Sequence, residues 1–153
     1  MSEDNAGVLV FPPLLFTICL VAGIVAHVLV GDHAPLPVWV RVAGGVLGAG
    51  AISIALWGQR VMTAAGTNIH PGQPTTAIVD AGPFAYSRNP LYLTLILLFA
   101  GIGVALASPV CLAFLLPLVV VLRWGVIARE ERYLEAKFGD AYRGYKARVR
   151  RWV

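Results

Sequence analysis

The feature that most constrains this chain is the uncharged run over residues 91–122. These 32 residues contain no Asp, Glu, Lys, Arg or His. A single helix of that length would measure about 48 Å, which exceeds a bilayer core of about 30 Å. Ser108-Pro109 interrupts the run near its middle, and a proline inside a helix removes a backbone hydrogen bond. We therefore predict a hairpin of two membrane spans, over about 91–107 and 110–127.

Two further apolar segments precede this hairpin. Residues 8–30 carry no charged side chain apart from His27, and they are numerous enough to cross a bilayer. A polar break over 31–37 leads to a second span over about 38–57. Composition agrees, because 58% of the chain is hydrophobic and 13% is charged, against roughly 25% charged in soluble domains. We predict an all-α integral membrane bundle of four transmembrane helices, forming a single membrane domain over residues 1–153.

The basic residues predict an orientation. Eight of the 12 Lys and Arg lie after residue 128, and four spans place Arg60, Arg88 and Arg123 on the same side. Arg41 alone falls on the opposite side. The positive-inside rule then places both termini, the loop and the tail in the cytoplasm, at an inner or plasma membrane. The basic tail would contact anionic headgroups and is not expected to bind nucleic acid, because a span holds it at the membrane.

The loop over 62–90 is longer than a connection between two spans requires. Its apolar residues and prolines indicate a fixed, irregular path in place of a solvated linker. At its end, Arg88 and Tyr92 are four residues apart across the start of the third span. Two interpretations remain open for this pair: anchoring at the membrane interface, or a binding site facing the cytoplasm.

The tail over 128–147 is predicted to be an amphipathic helix with a break at Gly139-Asp140. A single helical stripe contains Ile127, Glu131, Leu134 and Phe138. A carboxylate on an apolar stripe is costly unless it is paired. Glu131 and its neighbour Glu130 are therefore expected either to form an ion pair with Arg123 or Arg88, or to bind a cation or amine.

The second span contains a glycine pattern with two interpretations. The spacing of Gly44 and Gly48 is typical of close helix packing. Alternatively, the bare backbone over 48–50 would allow a ligand to approach. No Cys and His spacing in the sequence suggests a metal site, and no phosphate-binding loop or Ser-His-Asp set is present.

Three segments resemble the membrane-integrated methyltransferases that include isoprenylcysteine carboxyl methyltransferases and phospholipid N-methyltransferases. Residues 82–92 read GPFAYSRNPLY, similar to the family pattern G-x-[YF]-x-x-x-R-[HN]-P-x-Y. Residues 129–134, REERYL, are similar to E-E-x-x-L, and residues 138–149, FGDAYRGYKARV, to F-G-x-x-Y-x-x-Y-[KR]-x-x-V. Gly48-Ala49-Gly50 resembles the GxG of the phospholipid branch. Asn89 stands where eukaryotic carboxyl methyltransferases have His, whereas the third segment favours that branch.

The resemblance implies S-adenosylmethionine as methyl donor, bound from the cytoplasmic side, and a lipophilic acceptor that enters from the bilayer. It implies Arg88 and Glu131 as catalytic residues, with Arg88 holding an acceptor carboxylate. The donor-binding residues that it implies are Gly48, Gly50, His70, Tyr86, Asn89, Pro90, Tyr92, Glu130 and Glu131. No metal is expected, because methyl transfer to an ionised nucleophile depends mainly on positioning.

The function predicted from the sequence is therefore methyl transfer to a lipophilic acceptor, with a carboxylate favoured as in isoprenylcysteine. Phospholipid N-methylation is an alternative within the same family. Two alternatives of another class are an NADPH-dependent protein of the sterol-reductase type and a non-enzymatic membrane protein that binds a partner.

Overall fold

The computed structural model describes residues 6–70 and 73–153, and the regular elements are helical. The helices are α1 (Pro12–Val30), α2 (Val38–Ala64), α3 (Pro90–Ala105), α4 (Pro109–Ala113), α5 (Leu115–Val121), α6 (Ala128–Phe138) and α7 (Asp140–Arg148). A 3₁₀ turn over Gly82–Ala85 precedes α3, and a π-helical segment over Leu122–Ile127 joins α5 to α6. No strand occurs in these described residues, and the all-α prediction is confirmed for them.

Three helices are long and apolar enough to cross a bilayer. They are α1, α2 and the rod Pro109–Phe138, in which α4, α5, the π-helical segment and α6 follow one another. α3 is also apolar but has 16 residues, which make about 24 Å of helix against a core of about 30 Å. The chain thus has the apolar helices of an integral membrane protein, while the span predicted over 91–107 stays a prediction.

α2 extends further than the sequence indicates. The predicted second span ends at residue 57, whereas α2 continues to Ala64. Residues 59–64 contain neither proline nor glycine, so the helix persists until Gly66, whose φ of +69° is left-handed. The irregular segment before α3 is therefore 65–89 in place of 62–90. Within it, Pro71 and Gly72 lie outside the described residues.

α3 packs against α2 through glycines, as the spacing at Gly44 and Gly48 predicts. A Cβ added at Gly44 would lie 2.8 Å from the Gly101 carbonyl oxygen, and one added at Gly101 would lie 2.6 Å from the Gly44 carbonyl oxygen. Only residues without a side chain permit this approach. A Cβ at Gly50 would have no neighbour within 4 Å, so helix packing does not account for that glycine.

Asp32 joins the two chain reversals at one end of the bundle. Its carboxylate accepts hydrogen bonds from Ser108 Oγ (3.0 and 3.1 Å) and from the Val110 backbone N–H (2.9 Å). It also lies 2.7 Å from His27 Nδ1. These hydrogen bonds, with that of Val110 the largest, hold the pKa of Asp32 below its ordinary value. The chain reverses between α3 and α4 at Ser108, as the sequence predicts.

The opposite end of the bundle carries the irregular segment 65–89, α6 and α7. α6 ends at Gly139, whose φ is +52°, and this break separates it from α7. The predicted apolar stripe is present: Ile127 and Glu131 are buried, and Leu134 and Phe138 are half-buried. Glu131 therefore sits in a setting where a carboxylate requires partners.

Candidate active site

A cavity of about 100 Å³ lies where the irregular segment, the start of α3, α6 and α7 meet. Seven of the predicted site residues line it: His70, Arg88, Asn89, Pro90, Tyr92, Glu130 and Glu131. Three do not. Tyr86 is 72% exposed. Gly48 and Gly50 lie in the first half of α2, whereas the α2 residue that lines the cavity, Met62, is near the end of that helix.

Arg88 is the central cation of this cavity, and the backbone fixes it from both sides. The 3₁₀ turn precedes it and α3 follows it, while its backbone N–H donates to the Arg150 carbonyl (2.9 Å). The side chain is 8% exposed, and Nη2 lies 3.3 Å from Glu131 Oε1. Nε and Nη1 are buried and have no hydrogen-bond partner among the described residues. Because unpaired donors on a buried cation are costly, these two N–H groups suit an anionic ligand.

Glu131 is held by two arginines. Arg151 donates from Nε to Oε1 (3.1 Å) and from Nη2 to Oε2 (2.6 Å), in the fork geometry that guanidinium and carboxylate favour. Arg88 supplies the third contact. Of the two ion-pair partners that the sequence suggests, Arg88 is therefore the one observed. The Arg123 guanidinium lies 5.4 Å from the ring centroid of Trp124.

Glu130 has different surroundings from its neighbour Glu131. It lines the cavity, and the Tyr92 hydroxyl donates a hydrogen bond to its carboxylate, which links α3 to α6. The oxygens of Glu131 form ion pairs with two guanidinium groups, whereas the partner of Glu130 is a neutral phenol. A carboxylate in that position can hold a ligand cation through charge-assisted hydrogen bonds.

The irregular segment packs over the cavity through residues on both sides of positions 71–72. The Thr75 backbone N–H donates to the Tyr133 hydroxyl on α6 (3.2 Å). The Asn68 side-chain amide donates to the Pro74 carbonyl (2.8 Å), which closes the segment on itself. Thr67 and Asn68 line the cavity, as do Thr75 and residues 77–79 further along the segment.

A second cavity, of about 320 Å³ and largely apolar, adjoins the first. The two cavities share four wall residues, two from the first part of the irregular segment and two from the start of α3: Ile69, His70, Leu91 and Tyr92. The rest of its wall comes from the start of α1, the later turns of α2, and α3: Phe11, Pro12, Pro13, Ala55, Gln59, Thr94 and Leu95. His70 stacks on Phe11 at this boundary, with ring centroids 4.5 Å apart.

α7 completes the polar cavity with two buried tyrosines. The Tyr145 hydroxyl donates to the Phe84 carbonyl (2.8 Å), which ties α7 to the 3₁₀ turn. Burial raises the pKa of Tyr142 to about 12, so its hydroxyl stays a neutral donor at physiological pH. These tyrosines belong to the third segment of the resemblance, which gives them no role. Arg151 lies beyond that segment, and its pairing with Glu131 across the Gly139 break leaves no signal in helical periodicity.

The residues present fit S-adenosylmethionine, which carries an ammonium, a carboxylate, a sulfonium and an adenine. The cavity offers the Glu130 carboxylate for the ammonium. Val79 and Leu134 supply apolar wall for a ring. In the part of the chain that the structure describes, no group of three or more His, Cys, Asp or Glu side chains could hold a metal ion.

Comparison with known proteins shows the family of this chain. A family profile described as phospholipid methyltransferase matches residues 39–141, and so includes α2 from its second residue, the irregular segment, α3 and α6. An uncharacterized protein of Haemophilus influenzae is 41% identical over 63 residues, which cover 41% of this chain and 100% of that protein. The profile spans more than half of the sequence, and the chain therefore belongs to the phospholipid methyltransferase family.

Proposed function

We propose that the protein transfers a methyl group from S-adenosylmethionine to a lipophilic acceptor, and that this acceptor carries a carboxylate, as isoprenylcysteine does. The observation that carries the proposal is a buried arginine with two unpartnered N–H groups, in a polar cavity that shares its wall with an apolar one. A guanidinium holds a carboxylate through parallel hydrogen bonds, and the apolar cavity suits a hydrocarbon chain.

On this proposal, Glu130 holds the ammonium of the donor, and the Tyr92 hydrogen bond fixes its carboxylate. His70, Asn89 and Pro90 form the adjoining wall. When bound, S-adenosylmethionine supplies a methyl group that its sulfonium makes electrophilic. Direct donor contacts of Glu131, Tyr86, Gly48 and Gly50 stay predictions from the resemblance. The arginine pairing of Glu131 favours Glu130 as the donor's carboxylate partner.

Arg88 keeps the acceptor carboxylate ionised, so that an oxygen lone pair is free to attack. A bond forms between this oxygen and the methyl carbon as the bond from sulfur to that carbon breaks, and its electron pair returns to sulfur. No proton is transferred in this step. Because the displacement depends on alignment, the chain contributes chiefly by orienting the acceptor and by covering the cavity with the irregular segment and α7.

Phospholipid N-methylation is the second candidate, and the family profile favours it. An amine acceptor must lose a proton before or during methyl transfer, so this reaction requires a base. Glu130 lies at the cavity wall and is suited to accept that proton. In this case Arg88 would hold the phosphate of the headgroup in place of a carboxylate.

We further propose four spans with both termini in the cytoplasm of an inner or plasma membrane. The observation in support is the distribution of charge between the two ends of the bundle. At the Asp32 end, Arg41 is the one Lys or Arg side chain among the described residues, and it donates to the Ala105 carbonyl (3.0 Å). The cavity end carries Arg88 and the basic tail, which favours that end as the cytoplasmic one.

Thermal stabilisation of the purified protein in detergent tests the donor. S-adenosylhomocysteine is expected to stabilise it by about 2.7 kcal/mol at 100-fold over Kd, and NADPH is expected to have no effect. A response to NADPH alone would favour a sterol-reductase-like protein. A response to neither would favour a non-enzymatic membrane protein.

Methyl transfer from labelled donor then tests the acceptor. N-acetyl-S-farnesylcysteine and phosphatidylethanolamine are offered in the same micelles, and the products are separated by mass spectrometry. A methyl ester of the cysteine derivative is the expected product. N-methylated lipid without ester would reverse the order of the two candidates.

A further inference from the structure

We propose that Arg151 is a positioning residue: by occupying Glu131, it keeps the N–H groups of Arg88 available to the carboxylate of a ligand. This inference rests on the proposed function and adds a residue that neither the motifs nor the family profile, which ends at residue 141, contains. Three observations carry it: the geometry at Glu131, the backbone contacts of residues 150 and 151, and the charge of the cluster.

The first observation is that Arg151 occupies both oxygens of Glu131. Its Nε and Nη2 lie 3.1 and 2.6 Å from Oε1 and Oε2. Arg88 is left with one contact to Glu131, of 3.3 Å through Nη2, and its Nε and Nη1 have no hydrogen-bond partner among the described residues. A guanidinium and a carboxylate prefer two parallel hydrogen bonds. Without Arg151, Arg88 would take that arrangement and turn its donors away from the ligand.

The second observation is that the backbone carbonyls of Arg150 and Arg151 accept hydrogen bonds from Arg88 and from the residues on either side of it. The Arg151 carbonyl accepts hydrogen bonds from Ser87 Oγ (3.2 Å) and Asn89 Nδ2 (3.1 Å). The Arg150 carbonyl accepts from the Arg88 backbone N–H (2.9 Å). Arg151 is thus anchored by its backbone beside Arg88 while its side chain reaches Glu131. This double attachment fixes the distance between the two arginines.

The third observation is the charge of the cluster. Two guanidinium groups face the Glu131 carboxylate, and the Arg88 and Glu131 side chains are each 8% exposed, while that of Arg151 is 31% exposed. The carboxylate of Glu130 lines the same cavity, so Arg151 supplies the positive charge that balances the second glutamate. Removal of Arg151 would leave one guanidinium with two carboxylates, an arrangement with little attraction for an anion. The ligand group that this charge recognises is a carboxylate, which is present in both the donor and the proposed acceptor.

The test compares Arg151→Gln, Arg151→Lys and the double variant Arg151→Gln/Glu131→Gln with the wild type. Arg143→Gln is the matched control, because it removes one tail arginine whose side chain is 55% exposed and paired with Asp140. Affinities are measured on the full-length protein in detergent with two probes that carry carboxylates, S-adenosylhomocysteine and N-acetyl-S-farnesylcysteine. The probe whose affinity changes identifies the source of the carboxylate.

Arg151→Gln is expected to lower the affinity for one of the two probes by about tenfold or more. About tenfold corresponds to the lower limit for the loss of a charge-assisted hydrogen bond. Arg151→Lys should lose less, because lysine keeps the charge but lacks the fork. The double variant is expected to recover affinity to within about threefold of the wild type, because Glu131, the observed ion-pair partner of Arg88, then no longer competes for its N–H groups. A merely structural arginine would give no such recovery.

Two results would overturn the inference. One is unchanged affinity of Arg151→Gln for both probes. The other is an equal loss in the single and double variants. In either case, a wild type that S-adenosylhomocysteine stabilises would leave the proposed function standing. A wild type that does not respond to S-adenosylhomocysteine would reject the proposed function, and this inference with it.

Discussion

Glu130 and Glu131 are neighbours in the chain, but the fold gives them different partners. Glu131 is engaged by two arginines, whereas Glu130 faces the cavity with a hydrogen bond from Tyr92. We expect Glu130→Gln to lower the affinity for S-adenosylhomocysteine by about 10- to 150-fold, since a hydrogen bond to a charged group contributes about 1.5–3 kcal/mol. Titration calorimetry in detergent measures this. Glu135→Gln is the control, because Glu135 pairs with Lys146 outside the cavity wall. Equal affinity in both variants would contradict the assignment.

Arg88→Gln tests the acceptor side of the site. It should leave S-adenosylhomocysteine affinity largely intact and lower kcat/KM for a carboxylate acceptor, because an interaction with the reacting group is lost. Its stability cost should fall below the about 3–5 kcal/mol of an orphaned buried charge, since Arg151 still pairs with Glu131. Initial rates and thermal unfolding are measured together, with the exposed Arg132→Gln as control. Unchanged turnover would reject the role of Arg88.

The site residues that the sequence predicts are those within recognisable motifs or on a helical stripe. Arg88, Tyr92 and Glu131 meet in one cavity, because each stands near the end of a helix that reaches the same side of the bundle. Tyr86 belongs to the same motif as Arg88, yet its side chain is exposed. Arg151 could not be predicted, because its contact with Glu131 depends on the direction in which the chain continues after Gly139.

At the scale of elements, the α2–α3 contact determines where the start of α3 lies relative to the cavity. We expect Gly101→Leu to destabilise the protein by about 1–3 kcal/mol, the usual cost of overpacking, because a Cβ there already lies 2.6 Å from the Gly44 carbonyl oxygen. Gly50→Ala is the control, since its Cβ has open space. Thermal unfolding in detergent compares them. Equal stability of the two variants would contradict this packing.

Gly50→Ala also tests the second interpretation of the glycine pattern. If the backbone over 48–50 contacts the donor, the methyl side chain of the alanine should lower the affinity for S-adenosylhomocysteine. The position of Gly50 outside the cavity wall favours unchanged affinity, which the same titrations measure. Weaker binding by a stable Gly50→Ala protein would restore the donor-binding role that the resemblance implies.

The Asp32 connection predicts a pH dependence at the other end of the bundle. Hydrogen bonds, that of Val110 foremost, lower the pKa of Asp32 in the folded protein. Its stabilisation is therefore present above the unfolded pKa of about 3.9 and is lost as pH falls through the folded value. Asp32→Asn should be less stable than the wild type at about pH 6, and the difference should shrink towards about pH 3. A difference in Tm that is constant over this range would contradict the prediction.

Helix boundaries were less predictable than helix existence, for physical reasons that differ between elements. The length of α2 depends on residues 59–64, which are polar enough to suggest a loop but contain nothing that ends a helix. The π-helical segment Leu122–Ile127 has no proline or other marker in the sequence. It precedes the glutamates by a few residues, and π-helical turns often occur beside functional sites because they re-aim the helix that follows.

At the scale of the whole molecule, the two ends of the bundle differ in kind. One end is a short, hydrogen-bonded connection through Asp32 and Ser108. The other gathers the irregular segment, the cavities and the basic tail. The apolar cavity lies between helices with exposed apolar side chains and shares part of its wall with the polar cavity. A lipophilic acceptor and a water-soluble donor could thus reach neighbouring spaces from different phases.

This asymmetry makes the orientation in the membrane a direct test of the proposal, because a donor site on the far side would lack access to cytoplasmic S-adenosylmethionine. Pro35→Cys at the Asp32 end and Ala147→Cys in α7 place single thiols on exposed residues, while the native Cys19 and Cys111 are buried. In intact cells, a membrane-impermeant maleimide should label Pro35→Cys and spare Ala147→Cys until the cells are lysed. Labelling of Ala147→Cys from outside would reject a cytoplasmic tail. Labelling of both thiols from outside would require an even number of spans between residues 35 and 147. Because the four-span arrangement places an odd number there, this result would reject it together with the charge-based orientation.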